Sequence, residues 1–438
     1  MNTVEDKTDI LIVGGGTAGT VAAIQAGRAG IRTMLVESAG QLGGTMTNGG
    51  VSCAGYFFSY GRQVIAGIGW ELIVKTMDLD GSPMPDFDNP PMVHDGFTPP
   101  EGRASHYVSY NRYLLAAVAE EAVLNAGVTV RYHEIAVEAE EDGDGWRVTA
   151  VGKGVRRVIH AKELIDCTGD AAVVDMLGFE RERGEVCQPG TLEFCLKGYD
   201  PDSLDADLIQ ERYKQALTDG ALKPADYAGM NDKRFIYFLR QRGRNEQHIP
   251  GADSLTSESQ TRANIEGRRS LLRLLRFVRT LPGCENTQLD RACGETAIRE
   301  TFRIVGETRV TKDDYLSGRV FDDAVGHSLL FVDLHTDDGG KKEFPPKDVV
   351  PTIPFSALIP RGSRRLLAAG RCISSDRLAN SALRVQPSCF VMGQAAGGAA
   401  ALGVQSGVPS RDVPIDALRE LLRQHEAIVP EPGGQGVS

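Results

Sequence analysis

The sequence predicts an α/β fold built on a parallel sheet, and three observations predict it. An apolar run, Asp9-Ile10-Leu11-Ile12-Val13, passes through Gly14-Gly15-Gly16-Thr17-Ala18-Gly19 into a helix of small residues. A second apolar run, Thr33-Met34-Leu35-Val36, closes on Glu37. Much later, Leu164-Ile165-Asp166-Cys167-Thr168-Gly169-Asp170 and Leu366-Leu367-Ala368-Ala369-Gly370-Arg371 repeat the pattern of a buried strand ending in a glycine turn. Continuous apolar runs of this kind read as buried parallel strands, whose ligand edge lies at their C-terminal ends.

The first turn carries the most chemistry. Gly14 permits the turn, Gly16 lets the backbone approach a pyrophosphate at a helix N-terminus, and Gly19 lets helix and strand pack closely. Thr17 and Ala18 stand in the first helical turn, and Glu37 is placed to accept from a ribose hydroxyl, with Ser38 beside it. Strand, glycine turn, helix, strand and acid together predict a dinucleotide site. The plain alternative is a glycine turn with no ligand.

A chain of 438 residues exceeds what one core holds, so two domains are expected. Lys plus Arg at 48 against Asp plus Glu at 59 gives a net charge of −11, which disfavours nucleic acid or an anionic membrane as the main partner. Eight cysteines without a C-x-x-C pair, in a chain too large to need staples, read as reduced thiols. Met1 to Thr8 leaves no room for a signal peptide, and the small-residue apolar stretch Ala395 to Val404 is too short to span a membrane. A cytoplasmic protein without a membrane anchor is expected.

After the first strand-helix-strand unit come the loops Gly43-Gly44 and Gly49-Gly50, then a Pro/Asp/Gly-rich excursion from Asp78 to Gly102. Tyr107 to Ala126 reads as an amphipathic helix capped by Gly127, followed by a strand over Val128 to Tyr132. Ile135 to Glu140, Trp146 to Val151 and Arg156 to Ala161 read as a small antiparallel meander. From Arg183 to about Lys347 the texture changes, with strand candidates at Thr191 to Leu196 and Ser328 to His335 and charged helices between them. The glycine-rich style then returns, and Pro387 opens a helix through Gly393 and Gly397. The expected domains are therefore a discontinuous dinucleotide domain (1–55, 105–182 and 348–425), a substrate or cap domain (56–104 and 183–347) and a flexible tail (426–438).

Only one G-x-G-x-x-G is present, and three remote elements converge in style on one ligand edge: Gly43-Gly44-Thr45, Thr168-Gly169-Asp170, and Gly370-Arg371 with the helix after it. A long ligand with a ring system reaching away from the first helix explains them, which favours FAD over NAD. GGGTAG with Glu37, LGGTMTNGG, IDCTGDA, IRETFRIVGETRVTKDDYLSGRVFDDAV, VDLHTDDG and LLAAGRCISSDRLANSALRVQPSCFVMGQAAGGAAAL together resemble the FAD-dependent oxidoreductases related to the flavoprotein subunits of succinate dehydrogenase and fumarate reductase. The resemblance implies a Rossmann-like FAD-binding domain, with its parallel sheet and antiparallel meander, plus an inserted α+β substrate domain. It also implies hydride chemistry at flavin N5, with Gly14, Gly16 and Gly19 on the pyrophosphate and Glu37 on the ribose. Gly43, Gly44 and Thr45 would lie by the ribityl and ring, the backbone near Ala136 or Val137 by the adenine, and Gly169 and Asp170 on the phosphate side. Gly370 and Arg371 would follow the last strand, and the N-H groups of the helix opening at Pro387, at Ser388, would face the flavin pyrimidine. Where relatives often carry a His after the C-terminal turn, this chain has Ser375-Asp376-Arg377.

For the reaction, His335 is the candidate acid/base because an imidazole titrates near neutrality, a loop histidine being the alternative. Arg384 is the candidate clamp for a substrate carboxylate or carbonyl, against a structural ion pair. Arg299 and Arg303, four apart, are candidate substrate contacts or partners of Glu300 and Glu307. Cys53 and Cys389 read as buried small hydrophobes sooner than redox groups. Asp333, His335 and Asp337 read as a polar loop, and no metal is expected. Arg262, Arg269, Arg273 and Arg276 stripe one helix face, which is a solvated surface or a nucleic-acid face. The expectation is an oxidoreductase that moves a hydride between a small polar metabolite and FAD, with its electron acceptor open. The alternatives are a flavoprotein acting on nucleic acid or as a partner-bound electron-transfer subunit, and a binding protein without catalysis.

Overall fold

The computed structural model describes residues 1–59, 61–87, 107–227, 234–337, 339–347 and 349–431. The expected excursion at 78–102 lies outside the described residues from 88 onward, as do residues 432–438 of the expected tail. The principal elements are β1 (Asn2–Lys7), β2 (Ile10–Val13), α1 (Thr17–Arg28), β3 (Thr33–Glu37), α2 (Ile68–Asp80) and α3 (Arg112–Asn125). They continue through β4 (Thr129–Tyr132), β5 (Glu134–Asp142), β6 (Gly145–Gly152), β7 (Val155–Ala161) and β8 (Glu163–Asp166). The remainder are β9 (Phe194–Lys197), α4 (Ser257–Val278), β10 (Val332–Thr336), β11 (Leu366–Ala368), α5 (Arg377–Leu383) and α6 (Gln386–Ser406).

Five strands form one parallel sheet in the order β11-β8-β2-β3-β4. Alternate residues of β2 serve opposite faces, as the pleat requires. Ile10 and Ile12 enter the main core beneath α1 and α6, whereas Leu11 and Val13 enter a second core shared with Trp146, Val148 and Ile159 of the meander. The meander is a four-stranded sheet in the order β1-β7-β6-β5. Helices α1 and α6 approach closely because a Cβ at Gly393 or Gly397 would overlap the carbonyl oxygen of Ala18 or Ala22.

The structure departs from the sequence reading in four places. Met1 to Thr8 is not a mere lead-in, because β1 pairs in parallel with β7. Helix α3 starts later than Tyr107, since the Asn111 side chain accepts from Tyr113 and Leu114 N-H and so sets the N-cap, while Val108–Ser109 pair with Cys53–Ala54. Of the stretch Ser328 to His335, only the end is strand. The cores also ignore the expected domain boundaries. Phe57, Ile65, Ile68 and Leu72, and later Val310, Tyr315 and Val332, pack into the main core, so among the described residues the separate core of the inserted region is built from buried residues between Leu192 and Cys284, with Cys293 packed against it. Among the described residues no helix is long and apolar enough to cross a membrane.

Candidate functional site

At the C-terminal edge of the parallel sheet, Gly14 has φ +99°, and a Cβ there would overlap the carbonyl oxygen of Cys167, the residue after the neighbouring strand β8. Gly19 is needed because its Cβ would overlap Gly14 O. Gly16 differs: a Cβ there meets nothing nearer than Gly44 Cα at 4.0 Å, so this glycine faces open space. It is also the N-cap of α1, which has no side-chain cap and no acid in its first turn. Uncapped N-H groups at the positive end of a helix dipole form an anion cradle. The Gly43-Gly44 loop closes one side, with Gly43 N-H donating to Gly15 O at 2.8 Å and Thr17 Oγ1 to Gly43 O at 3.4 Å. Ala18 is buried under α6, and Thr45 stands in the short turn Gly44–Met46.

Glu37 ends β3 with its carboxylate held in place. It accepts from Gly15 N-H and Ala39 N-H, each at 2.6 Å, and from Ser38 Oγ at 3.2 Å. On β5, the pairing jumps from Glu138 to Ala136 while β6 advances one residue, so Val137 is the extra residue of a bulge and is 43% exposed. Its backbone lies outside the regular ladder, as a ligand contact would require.

Asp170 and Arg371, expected on the cofactor, spend their side chains on each other at 2.6 Å. Asp170 also accepts from Thr301 Oγ1 at 2.7 Å and Ser254 Oγ at 2.8 Å, and Arg371 donates to Gly169 O at 2.9 Å and Ile298 O at 2.6 Å. This lock fastens the β8 and β11 turns, with Gly169 and Gly370 in them, to the inserted region. The Ser388 hydroxyl is buried and bonded to Ser328 Oγ at 2.7 Å. Asp376 and Arg377 stand after the C-terminal turn, where the resembling family often carries a histidine. Asp376 caps α5 through Ala379 N-H at 2.8 Å, and Arg377 reaches Glu300 at 2.9 Å.

A second constellation forms where the inserted region meets the α5–α6 junction. His335 Nε2 lies 3.1 Å from Asp333 Oδ2, its Nδ1 lies 3.0 Å from His248 Nε2, and His248 Nδ1 lies 3.1 Å from Thr336 O. Gln188 Oε1 accepts from His335 N-H at 3.0 Å and from Arg384 Nη2 at 3.3 Å, and Arg384 Nη2 also donates to Asp333 O at 3.2 Å. Burial, then Arg299, pushes the His335 imidazole down to about 4, and His248 down to about 2. Burial pushes the Asp333 carboxyl up, but His335 and then Arg384 outweigh it and hold it well below the carboxylate range. Burial, then Arg384, lowers Arg299 to about 10, still a cation at neutral pH. Among the described residues, two buried donors here find no acceptor: Nε of Arg384 and Nε2 of Gln188.

The protein family described as FAD dependent oxidoreductase matches residues 9–422. The chain belongs to the FAD-dependent oxidoreductase family. It is an oxidoreductase, and FAD is its cofactor. Among curated proteins, a 44-residue stretch is 64% identical to dihydrolipoyl dehydrogenase of Pseudomonas aeruginosa, covering 10% of this chain and 9% of that protein's length. Over 45 residues it is 49% identical to a mitochondrial dihydrolipoyl dehydrogenase of Arabidopsis thaliana, again 10% of this chain and 9% of the relative. Among solved structures, a geranylgeranyl bacteriochlorophyll reductase-like protein of Thermoplasma acidophilum is 14% identical with a TM-score of 0.44, covering 97% of this chain and 83% of that one. A p-nitrophenol 4-monooxygenase of Pseudomonas putida is 13% identical with a TM-score of 0.41, covering 97% and 85%.

In this FAD-dependent oxidoreductase the cradle fits its cofactor: an open glycine at an uncapped helix start, a fixed acid at the next strand end, and a bulged strand alongside. Other residues fall into plainer roles. Arg299 and Arg303 share no helix face: Arg303 pairs with Glu300 at 3.2 Å, while Arg299 donates to Pro189 O at 2.7 Å beside the histidines. Burial pushes the Cys53 thiol up to about 11 and Cys389 to about 12, so neither is a ready thiolate. In the arginine stripe, Arg273 is bound to Asp226 at 2.7 Å and to Glu266 at 2.9 Å. Sequence reasoning missed His248 and Gln188. Among the described residues no His/Cys/Asp/Glu group of three or more is placed to hold a metal ion.

Proposed function

We propose that this enzyme moves a hydride between a small polar metabolite and N5 of FAD, with His335 as the acid/base and Arg384 as the substrate clamp. FAD, when bound, supplies the centre that takes or gives the hydride. In this reading Gly14, Gly16, Thr17, Ala18 and Gly19 hold the pyrophosphate, Glu37 and Ser38 the adenosine ribose, and the backbone of Val137 the adenine. Gly43, Gly44 and Thr45 line the ribityl and ring side, where the turns at Gly169 and Gly370 and the N-H of Ser388 complete the wall. Asp170 and Arg371 hold that wall together through the lock described above.

The substrate reading rests on the two orphaned donors. A buried donor left unmade costs about 1–3 kcal/mol, so Arg384 Nε and Gln188 Nε2 mark where an acceptor oxygen, carbonyl or carboxylate, arrives. Arg299 adds positive charge behind it. His335, neutral at physiological pH, accepts a proton at this point and Asp333 stabilises the imidazolium that results. The motifs shared with the succinate dehydrogenase and fumarate reductase flavoproteins support kinship with that group. The test is anaerobic flavin bleaching with a panel of hydroxy acids, amino acids, alcohols and amines. Bleaching by compounds bearing an acceptor oxygen, weakened in affinity by Arg384→Lys, is expected. Bleaching only by compounds lacking such an oxygen would overturn the reading.

A further inference from the structure

Gln188 is wholly buried, and its side-chain amide fits only one way round. Oε1 accepts from His335 N-H at 3.0 Å and from Arg384 Nη2 at 3.3 Å. A backbone N-H and a guanidinium only donate, so the amide turned over would set its own N-H bonds against both. Nε2 therefore points away from those donors, and there it finds no acceptor among the described residues. The backbone is fastened as well: Gln188 N-H donates to the buried carboxylate of Glu300 at 3.0 Å, and Arg299 Nη1 donates to Pro189 O at 2.7 Å. Arg384 touches Gln188 through Nη2, which also serves Asp333 O at 3.2 Å, so its vacant Nε-H and the vacant Gln188 Nε2-H belong to adjacent groups. The local charge names the missing acceptor. At Arg299, burial and Arg384 outweigh Asp333 and Glu246, and at Arg384, burial with Arg371 outweighs Asp333 and Glu300, so both guanidiniums fall below the ordinary arginine range. Glu300 is itself shared between Arg303 and Arg377. Two cations short of counter-charge beside two donors short of acceptors call for an anionic oxygen group, which an alcohol or amine does not supply. We propose that Gln188 is a specificity-determining residue: with Arg384 it forms a two-donor seat for a substrate carboxylate, one oxygen on Arg384 Nε-H and the other on Gln188 Nε2-H.

The inference rests on the clamp reading above and narrows its acceptor oxygen to a carboxylate. The probes are acetate, glycolate, lactate and benzoate, each with its primary amide, titrated calorimetrically into FAD-loaded protein. At least one carboxylate is expected to bind on the order of tenfold tighter than its amide, the scale of a hydrogen bond to a charged group. Gln188→Glu keeps an acceptor toward His335 N-H and Arg384 and replaces only the vacant donor, by an oxygen. It should weaken the carboxylate on the order of a hundredfold through like charge. The amide, whose N-H bonds can donate to that oxygen, should bind at least as well as in the wild type, so the preference reverses. Damage to the fold would weaken both ligands alike. Flavin content and melting temperature show that the variant is folded. Gln188→Met, of similar length but without either polar atom, is the second variant, and should weaken the carboxylate on the order of tenfold with less effect on the amide. No binding by any of these carboxylates, an unreversed preference in folded Gln188→Glu, or unchanged carboxylate affinity in Gln188→Met would overturn the proposal. Flavin bleaching by carboxylates that Arg384→Lys weakens, together with an unreversed preference in Gln188→Glu, leaves the clamp reading standing and removes this inference alone.

Discussion

The carboxylate of Glu37 receives the N-H of Gly15 at 2.6 Å, which ties the acid at the end of β3 to the glycine turn after β2. The same carboxylate that we propose meets the ribose thus also shapes the cradle. Glu37→Ala should weaken FAD by about 1.5–3 kcal/mol, the scale of a hydrogen bond to a charged group, with flavin reduction little changed at saturating FAD. Flavin fluorescence on dilution measures it, and an unaltered affinity removes Glu37 from the site.

Gly16 and Gly14 separate cofactor from fold. Gly16→Val places a side chain in open space over the helix start, so folded protein with little flavin is expected. Gly14→Val drives a Cβ into Cys167 at a positive φ, so melting temperature and yield should fall even where flavin is retained. Full flavin content in Gly16→Val contradicts the placement of the pyrophosphate.

His335→Asn should slow flavin reduction by on the order of 10² to 10⁴ without loss of FAD. Arg384→Lys keeps the charge but not the planar fork, so substrate affinity and rate should both suffer. As the imidazole is pushed down to about 4, the wild-type rate should stay level from pH 8 to 5 and fall only as pH drops through about 4. Stopped-flow reduction across pH reads all three; a fall centred near 6.5 refutes the buried, neutral base.

His327 is buried on the strand Ala324–His327, and burial pushes it down to about 4. Its pKa is lower in the folded than in the unfolded chain, so the unfolded chain binds the proton first. Stability is then full above about pH 6.5 and declines as pH falls toward 4, by roughly 3 kcal/mol for this group. Urea unfolding at stepped pH should show the decline, smaller in His327→Gln than in the wild type.

The arginine face of α4 splits by partner. Arg273→Met strands the buried carboxylate of Asp226 and should cost about 3–5 kcal/mol. Replacing the exposed Arg262, Arg269 and Arg276 together by serine should leave stability and flavin reduction unchanged. Loss of salt-sensitive RNA binding in that triple variant would instead support a nucleic-acid role.

The parallel strands were legible because Ile10 to Val13 and Leu164 to Ile165 are apolar on both faces. Strand β1 was not, because four of its first residues, Asn2 to Glu5, are exposed and its order comes from the backbone of β7. The glycine turn with Glu37 was legible as chemistry, since spacing alone carries it. His248 was not: nothing in Gln247-His248-Ile249-Pro250 marks it, and its meaning arises only from a partner 87 residues away. Asp170 and Arg371 were legible as turn residues, but their mutual pairing is a tertiary fact.

The order of the central sheet also bears on synthesis. Strand β11 joins β8, and α6 seals α1, so a ribosome must translate past residue 397 before the earliest segments find their last neighbours. The N-terminal half therefore leaves the exit tunnel with an unfinished sheet edge and an uncovered apolar face. The sheet edge that carries the glycine turns is therefore complete only once the final sixth of the chain has joined it.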